Sequence, residues 1–259
     1  MDDPLVLFRR EGSVAVIQLN RERKLNALNR PILDAVMVRL DEVESDDALS
    51  VAVLTGTGRA FCAGADITEY CGHGQGAFVA YQRLGRLLLD RIEKHPKPVI
   101  AAVNGVALGG GFELALACDL IVAGEQAAFG LPEPSLGLVP GGGGTQRLAR
   151  AGGRYRAKHL LLTGHRLSAR EAQDWGLVSA VTPAGEEVSA ARDLADRIAR
   201  QGPLAVRALK RLVDEGMDAA LDTALSYEQQ TLIALYATAD GQEGIASFME
   251  KRPPRFSGR

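Results

Sequence analysis

The sequence predicts an α/β fold that ends in a purely helical region. Up to residue 182, short β-branched runs alternate with segments whose apolar residues recur at helical spacing. Beyond Thr182-Pro183-Ala184-Gly185, which reads as a hinge, only helical patterns follow. Glycine is frequent, 29 of 259 residues or about 11% against roughly 7% on average, which points to tight turns or to backbone groups that meet a ligand. The division read from these observations is residues 1–182 for the α/β core and 183–259 for the helical region.

The elements follow in order. Residues 14–19 (VAVIQL) form a strand. Asn26 and Asn29 punctuate a turn, and Pro31 suits the first turn of a helix carrying Ile32, Leu33, Val36, Leu40 and Val43 on one face. Residues 50–55 are the next strand. A glycine-rich loop at 70–76 precedes a long helix over 77–94, with Leu84, Leu87, Leu88 and Ile92 as its apolar face. Pro96 and Pro98 keep the entry to a strand at 99–103 extended. Asn104-Gly105 is a turn, Gly109-Gly110-Gly111 follows, and a helix starts at Phe112. Residues 120–123 and 127–129 are strands, and Pro140 to Thr145 lead into a helix from Gln146. Short helices are read over 154–162 and 168–175, the second opened by Ser168 with Glu171 three residues on. A last strand is read at 177–181. The helices beyond the hinge break at Gly202-Pro203 and at Gly216. Their stripe of Met217, Leu221, Ala224, Leu225 and Leu232 needs an apolar partner.

Composition narrows the function. A net charge of −2 gives no reason to expect a nucleic acid or an acidic membrane as partner. No apolar run approaches the roughly 18 residues of a membrane span. Met1-Asp2-Asp3-Pro4 lacks the basic segment of a signal or transit peptide. Cys62, Cys71 and Cys118 show no C-x-x-C pairing, which fits reduced thiols and a cytoplasmic location. His73, His95, His159 and His165 lack metal-ligand spacing, so no metal is expected.

The chemistry gathers at three places. Glu113 lies just inside the helix after the glycine triplet. Glu133 ends the apolar segment after residues 127–129. The stretch Phe61-Cys62-Ala63-Gly64-Ala65-Asp66-Ile67 presents small residues whose main chain is accessible. Two carboxyl groups and two accessible main-chain segments suit acid–base chemistry beside a developing oxyanion. An acid beside the anion-favouring start of a helix must carry a proton or act on a different atom. The triplet lacks the G-x-G-x-x-G spacing of a dinucleotide site, and residues 137–145 are no P-loop, because Gly143 stands where the lysine is needed. Taken singly, each feature has a plainer reading: strand–helix packing, a helix-capping carboxylate, a loop acid.

Together, in this order, several motifs resemble the crotonase superfamily, the enoyl-CoA hydratase/isomerase family, over nearly the whole chain. They are Arg23-Lys24-Leu25-Asn26-Ala27-Leu28, residues 61–67, Lys97-Pro98-Val99-Ile100-Ala101-Ala102-Val103-Asn104-Gly105, the glycine triplet, Gly137-Leu138-Val139-Pro140 and Glu250-Lys251-Arg252-Pro253-Pro254-Arg255-Phe256. The resemblance implies a spiral of ββα units whose C-terminal helices build a homotrimer, often stacked into a hexamer. It implies that the N–H groups of Ala65 and Gly110 form an oxyanion hole for a thioester carbonyl and that Glu113 and Glu133 flank a water. Lys24, Leu25, Ala27, Ala63, Asp66 and Ile67 would line the coenzyme A groove. Phe248 and Lys251 would complete it from the same or a neighbouring subunit. No cofactor is expected, coenzyme A being part of the substrate.

The implied activity is hydration of a 2-enoyl-CoA to the 3-hydroxyacyl-CoA. The alternatives are another reaction of the family on an acyl-CoA (isomerisation, dehydration, hydration of a cyclic or substituted enoyl group, C–C cleavage) and, more remotely, a non-catalytic acyl-CoA- or RNA-binding oligomer. Both glutamates are present, whereas isomerases of the family often keep one, which favours water chemistry. Close carboxylates should titrate jointly with one shared proton. Pro134 and the run Gly72-His73-Gly74-Gln75-Gly76 depart from the commonest pattern and leave the acyl chain open. The run 141–144 has no evident contact with the reacting oxygen, so substitution of Gly143 is expected to cost mainly stability.

Overall fold

Each turn of the chain lays one strand in each of two sheets. The computed structural model describes residues 4–259; the acidic start at residues 1–3 lies outside it. Strands β1 (Val6–Glu11) and β2 (Val14–Leu19) form an antiparallel hairpin, followed by helix α1 (Arg30–Ser45). The first full turn is β3 (Val51–Gly56), β4 (Ala60–Cys62) and α2 (Gly74–Glu93). The second is β5 (Val99–Val103), β6 (Val106–Leu108) and α3 (Gly110–Leu116). The third opens with β7 (Leu120–Gly124) and β8 (Ala128–Gly130) and continues through α4 (Gly144–Gly152) and α5 (Arg154–Thr163). Then come β9 (Leu167–Ser168), α6 (Ala169–Asp174) and β10 (Ala180–Thr182). The larger sheet has the order β1-β2-β3-β5-β7-β10 and the smaller one β4-β6-β8-β9. Four helices finish the chain: α7 (Glu187–Ala199), α8 (Pro203–Met217), α9 (Leu221–Tyr236) and α10 (Ala239–Met249).

The larger sheet is buried on both faces, so its strands read as continuous apolar runs. Alternation along each strand sorts residues into two cores. Ala15, Ile17, Ala52, Leu54, Val99, Ala101 and Val103 face the main core with α1, α2 and the smaller sheet. Val14, Val16, Val51, Val53, Ile100 and Ala102 face Ala191 and Ala195 of α7. Helix α1 starts as its sequence dictates: Asn29 Oδ1 accepts from the Ile32 N–H at 3.1 Å, with Pro31 in the first turn. Its far end is closed by buried groups. Lys97 Nζ donates to the carbonyls of Val43 (2.7 Å) and Asp46 (2.8 Å), and His95 Nε2 lies 3.1 Å from the Leu40 carbonyl. Ser168 and Glu171 form the capping box that their spacing predicts.

The structure departs from the sequence reading in several places. Strands β1, β4, β6 and β9 were not legible, because β4, β6 and β9 are too short to show alternation and β1 is a polar edge strand. Helix α2 starts inside the glycine-rich run, at Gly74. The last strand covers 180–182 rather than 177–181, and Leu177 and Val178 are core residues of the preceding turn. The segment after Thr182 is no free hinge. Helix α7 lies on the larger sheet and supplies one wall of its core, so the helices standing apart from that core begin with α8. Neither α8 nor α9 buries a residue within the chain.

Candidate active site

The residues singled out for chemistry emerge together at one edge of the smaller sheet. Strands β4, β6 and β8 run parallel. Ala65 stands just beyond the end of β4, Gly110 just beyond β6 and Glu133 just beyond β8. The carboxyl edge of a parallel sheet is where such folds place ligands.

Ala65 is presented by a pairing with Leu28: the Leu28 N–H donates to the Gly64 carbonyl (2.8 Å) and the Asp66 N–H to the Leu28 carbonyl (2.9 Å). That leaves the Ala65 N–H between them without a hydrogen-bond partner among the described residues, and the same holds for the Gly110 N–H. A Cβ on Gly110 would stand 3.5 Å from the Ala65 nitrogen, so the two stretches of backbone lie side by side.

Each glycine of the triplet has its own cause. Gly109 has φ +52°, and a Cβ there would lie 2.9 Å from Glu133 Oε1. Gly110 keeps the space between the donors open. Gly111 lets α3 approach β4, since a Cβ would lie 2.0 Å from the Cys62 carbonyl oxygen.

The two carboxyl groups differ in surroundings. Glu113 is buried on α3, and its Oε1 accepts the N–H groups of Gly142 (2.7 Å) and Gly144 (2.8 Å). The glycine run 141–144, given a purely structural part by the sequence, is therefore the cradle of this carboxylate. A Cβ on Gly142 would stand 2.7 Å from Glu113 Oε2. Burial pushes the Glu113 carboxyl above its ordinary range, while the two N–H groups and Arg147 pull against it. Glu133 opens a 3₁₀ turn (Glu133–Leu136). Its Oε2 is buried with no partner among the described residues. Burial, and then the charge of Glu113, raises its carboxyl above the ordinary range.

The groove residues form a second group. Lys24 and Leu25, with Glu22, Arg23 and Arg59, line a pocket of about 500 Å³. The sequence reading had missed Arg23 and Arg59 as part of its cationic wall. The loop is pinned by Asn26, which is buried with φ +57°. Its Oδ1 accepts from the Arg21 N–H (2.9 Å), and its Nδ2 donates to the carbonyls of Thr57 (3.0 Å) and Ala60 (2.8 Å). The Ala63 N–H donates to the Leu25 carbonyl (2.9 Å), and the Ala27 carbonyl accepts from Arg21 (3.2 Å). The Asp66 side chain is occupied within the protein. It pairs with Arg21 at 2.6 Å and accepts from the Thr68 hydroxyl and N–H. Burial opposes its ionisation, but these bonds hold it below the usual carboxylate range. Any ligand contact of Asp66 therefore falls to its backbone. Ile67 is exposed beside it. Phe248 and Lys251, at the end of α10, form no hydrogen bond or ion pair with the groove of their own chain among the described residues, and Phe248 is 82% exposed. A larger cavity, about 1430 Å³, lies elsewhere, between α2 and α4 on one side and α8 and α9 on the other.

The comparisons with known proteins show the family. The family model described as Enoyl-CoA hydratase/isomerase matches residues 9–259. The chain belongs to the enoyl-CoA hydratase/isomerase family. It is 43% identical to 2,3-dehydroadipyl-CoA hydratase of Escherichia coli, covering 98% of this chain and 99% of that protein. It is 40% identical to the short-chain-enoyl-CoA hydratase of Clostridium acetobutylicum, covering 95% of each. The crystal structure of an enoyl-CoA hydratase from Bacillus anthracis superposes with a TM-score of 0.95 at 41% identity, covering 98% of this chain and all of that one. The two-sheet spiral is thus the crotonase fold that the motifs imply.

Proposed function

We propose that this chain is an enoyl-CoA hydratase that reversibly adds water to a 2-enoyl-CoA thioester to give the 3-hydroxyacyl-CoA. The observation that carries the reading is the pairing of two N–H groups that have no partner among the described residues, those of Ala65 and Gly110, with two carboxyl groups of raised pKa, Glu113 and Glu133, at one sheet edge. The thioester oxygen accepts both N–H groups. Glu113, whose carboxylate is held by two donors, takes a proton from water as its oxygen bonds to Cβ. The electrons of the double bond collect as an enolate on the thioester oxygen, where two fixed donors stabilise it. Glu133, with one buried oxygen unpaired and the charge of Glu113 nearby, carries the shared proton and delivers it to Cα. The reverse sequence dehydrates.

The cationic pocket of Lys24, Arg23 and Arg59 fits the phosphates of coenzyme A, with Leu25, Ala27, Ala63, Asp66 and Ile67 along the groove. Four residues of the apolar stripe, Met217, Leu221, Leu225 and Leu232, are 50–72% exposed in the single chain. This supports assembly into a trimer or a dimer of trimers, in which Phe248 and Lys251 reach a neighbour's groove. The test is loss of the conjugated enoyl-thioester absorbance when the purified protein meets crotonyl-CoA and longer, branched and dicarboxylic enoyl-CoAs. Absence of any hydration across that set overturns the reading in favour of another family reaction or a binding role.

A further inference from the structure

Building on the hydratase reading, we infer that Arg147 is a positioning residue for the water-activating carboxylate, acting through the 142–144 loop with Glu93 as its anchor. Arg147 stands on α4 with its side chain 13% exposed. Its Nε and Nη2 donate to the two carboxylate oxygens of Glu93 on α2, both at 2.7 Å. Its Nη1 donates at 2.6 Å to the carbonyl of Gly142, the residue whose N–H holds Glu113 Oε1 at 2.7 Å. One polar chain therefore runs Glu93–Arg147–Gly142–Glu113. The loop bends around the guanidinium: Gly143 has φ +102°, and a Cβ there would stand 2.3 Å from Arg147 Nη1.

The fork geometry explains the residue type. A planar guanidinium reaches a carboxylate with two N–H groups and a carbonyl with a third, which an ammonium on a flexible stem cannot do in one fixed orientation. Its charge also lies behind Glu113 and favours the ionised form against burial. The other charged groups around it are Asp90 (3.9 Å) and Arg86 on α2, Lys94 just past its end, Arg150 on α4, and Lys210 and Asp214 on α8 across the cleft. None of these holds the Gly142 carbonyl.

The test is steady-state hydration of crotonyl-CoA by Arg147→Lys, Arg147→Met and Glu93→Gln in the full-length protein. Melting temperature and oligomeric state are recorded alongside, with Arg150→Met as control, an exposed arginine of the same helix that bonds Gln146 and Asp218 rather than Gly142 or Glu93. A carboxylate displaced by a fraction of an ångström to 1 Å costs up to about a hundredfold in rate. Arg147→Lys should lower kcat about tenfold with KM within about twofold. Arg147→Met should lower it further and move the carboxyl limb of the pH–rate profile to higher pH. On a Glu113→Gln background, Arg147→Lys should cost little more, because the group it positions is already gone. A folded Arg147→Lys with kcat within twofold of the parent overturns the inference. So does a loss of the same size on the Glu113→Gln background. Should Arg147→Met fail to fold, Arg147→Lys and Glu93→Gln decide on the same criteria. A parent protein that hydrates no enoyl-CoA overturns the hydratase reading itself. An active parent with unaffected Arg147 variants overturns only the positioning role.

Discussion

Replacing Gly110 by proline isolates one backbone donor. Gly110 is the first residue of α3, the helical position where proline is best tolerated, and its N–H has no partner among the described residues. Its φ lies outside the left-handed region. A Cβ there would meet only ordinary contacts: 3.5 Å to the Ala65 nitrogen, 3.7 Å to Leu28 Cδ1 and 3.8 Å to the Gly64 carbonyl carbon. The substitution should therefore leave the fold in place while deleting the N–H and filling its place with Cδ. Removing one donor of an oxyanion hole costs about 2.7–4 kcal/mol, or roughly 10²–10³ in kcat. Crowding the oxygen should deepen the loss. Gly110→Ala keeps the donor and should lose less, chiefly in kcat/KM. Gly111→Ala, one residue on, should fail differently. Its Cβ would meet a backbone oxygen at 2.0 Å, so α3 must move off β4 and the protein should be insoluble or markedly less stable. The assay pairs enoyl-thioester absorbance with thermal unfolding. A folded Gly110→Pro that keeps kcat within tenfold of the parent would refute the placement of the oxyanion hole.

Other outcomes follow from the same geometry. Glu113→Gln and Glu133→Gln should each lower kcat by orders of magnitude with acyl-CoA affinity largely kept, and the two losses should be strongly non-additive. Near-parental hydration by either single variant excludes the paired-acid mechanism. Both carboxyls have folded-state pKa values raised above their unfolded ones. Their contribution to stability is thus fully present below the unfolded pKa and is lost as pH rises through the folded pKa. Unfolding scans at pH 5 and pH 8 should show each Gln variant losing less stability over that interval than the parent; an identical loss refutes the assignment. Gly143→Ala should damage kcat as well as stability, because it forces an L-residue to φ +102° against Arg147, whereas Gly153→Ala, at φ +88° in open space, should cost stability alone. Equal kinetics for the two would show that the loop does not steer Glu113. In light scattering the protein should run as a trimer or hexamer, and a monodisperse monomer at micromolar concentration would end that proposal. Truncation after Gln201, which spares α7, is the cleaner test of the helical region, since a cut after Thr182 would bare Val14, Val16, Val51 and Val53.

Residues with local causes were legible in the sequence. The short β-rich apolar runs at 14–19 and 99–103, the Asn29 cap with Pro31, and the Ser168–Glu171 box each act within a few residues, and each stands where the pattern puts it. The chemistry was legible only through motif order, because Ala65, Gly110 and Glu133 meet by way of strands three residues long. What lay hidden depends on contacts distant in sequence. Asn26 spans from Arg21 to Thr57 and Ala60, Arg147 joins α4 to α2, and the glycines at 142 and 144 reach back to Glu113. No period or spacing encodes such a contact. The reach of α7 over the larger sheet was missed for a related cause: small apolar residues such as Ala191 and Ala195 resemble any helix face until their partner is known.

The placement of every proposed reacting group at one edge of the smaller sheet has a consequence for how such a chain can change. At the opposite edge, the tight connections β3–β4, β5–β6 and β7–β8 join the two sheets through residues 57–59, 104–105 and 125–127, and lengthening any of them would shift a strand. At the reacting edge, residues 68–73 and 134–140 lie beyond Ala65 and Glu133 and short of the Gly142 cradle, and can take on or shed residues without touching the register. Variation in acyl preference thus has two loops to work in, mechanically insulated from the frame that fixes the donors and the carboxylate. Grafting those two segments between relatives should transfer chain-length preference while leaving the water chemistry in place.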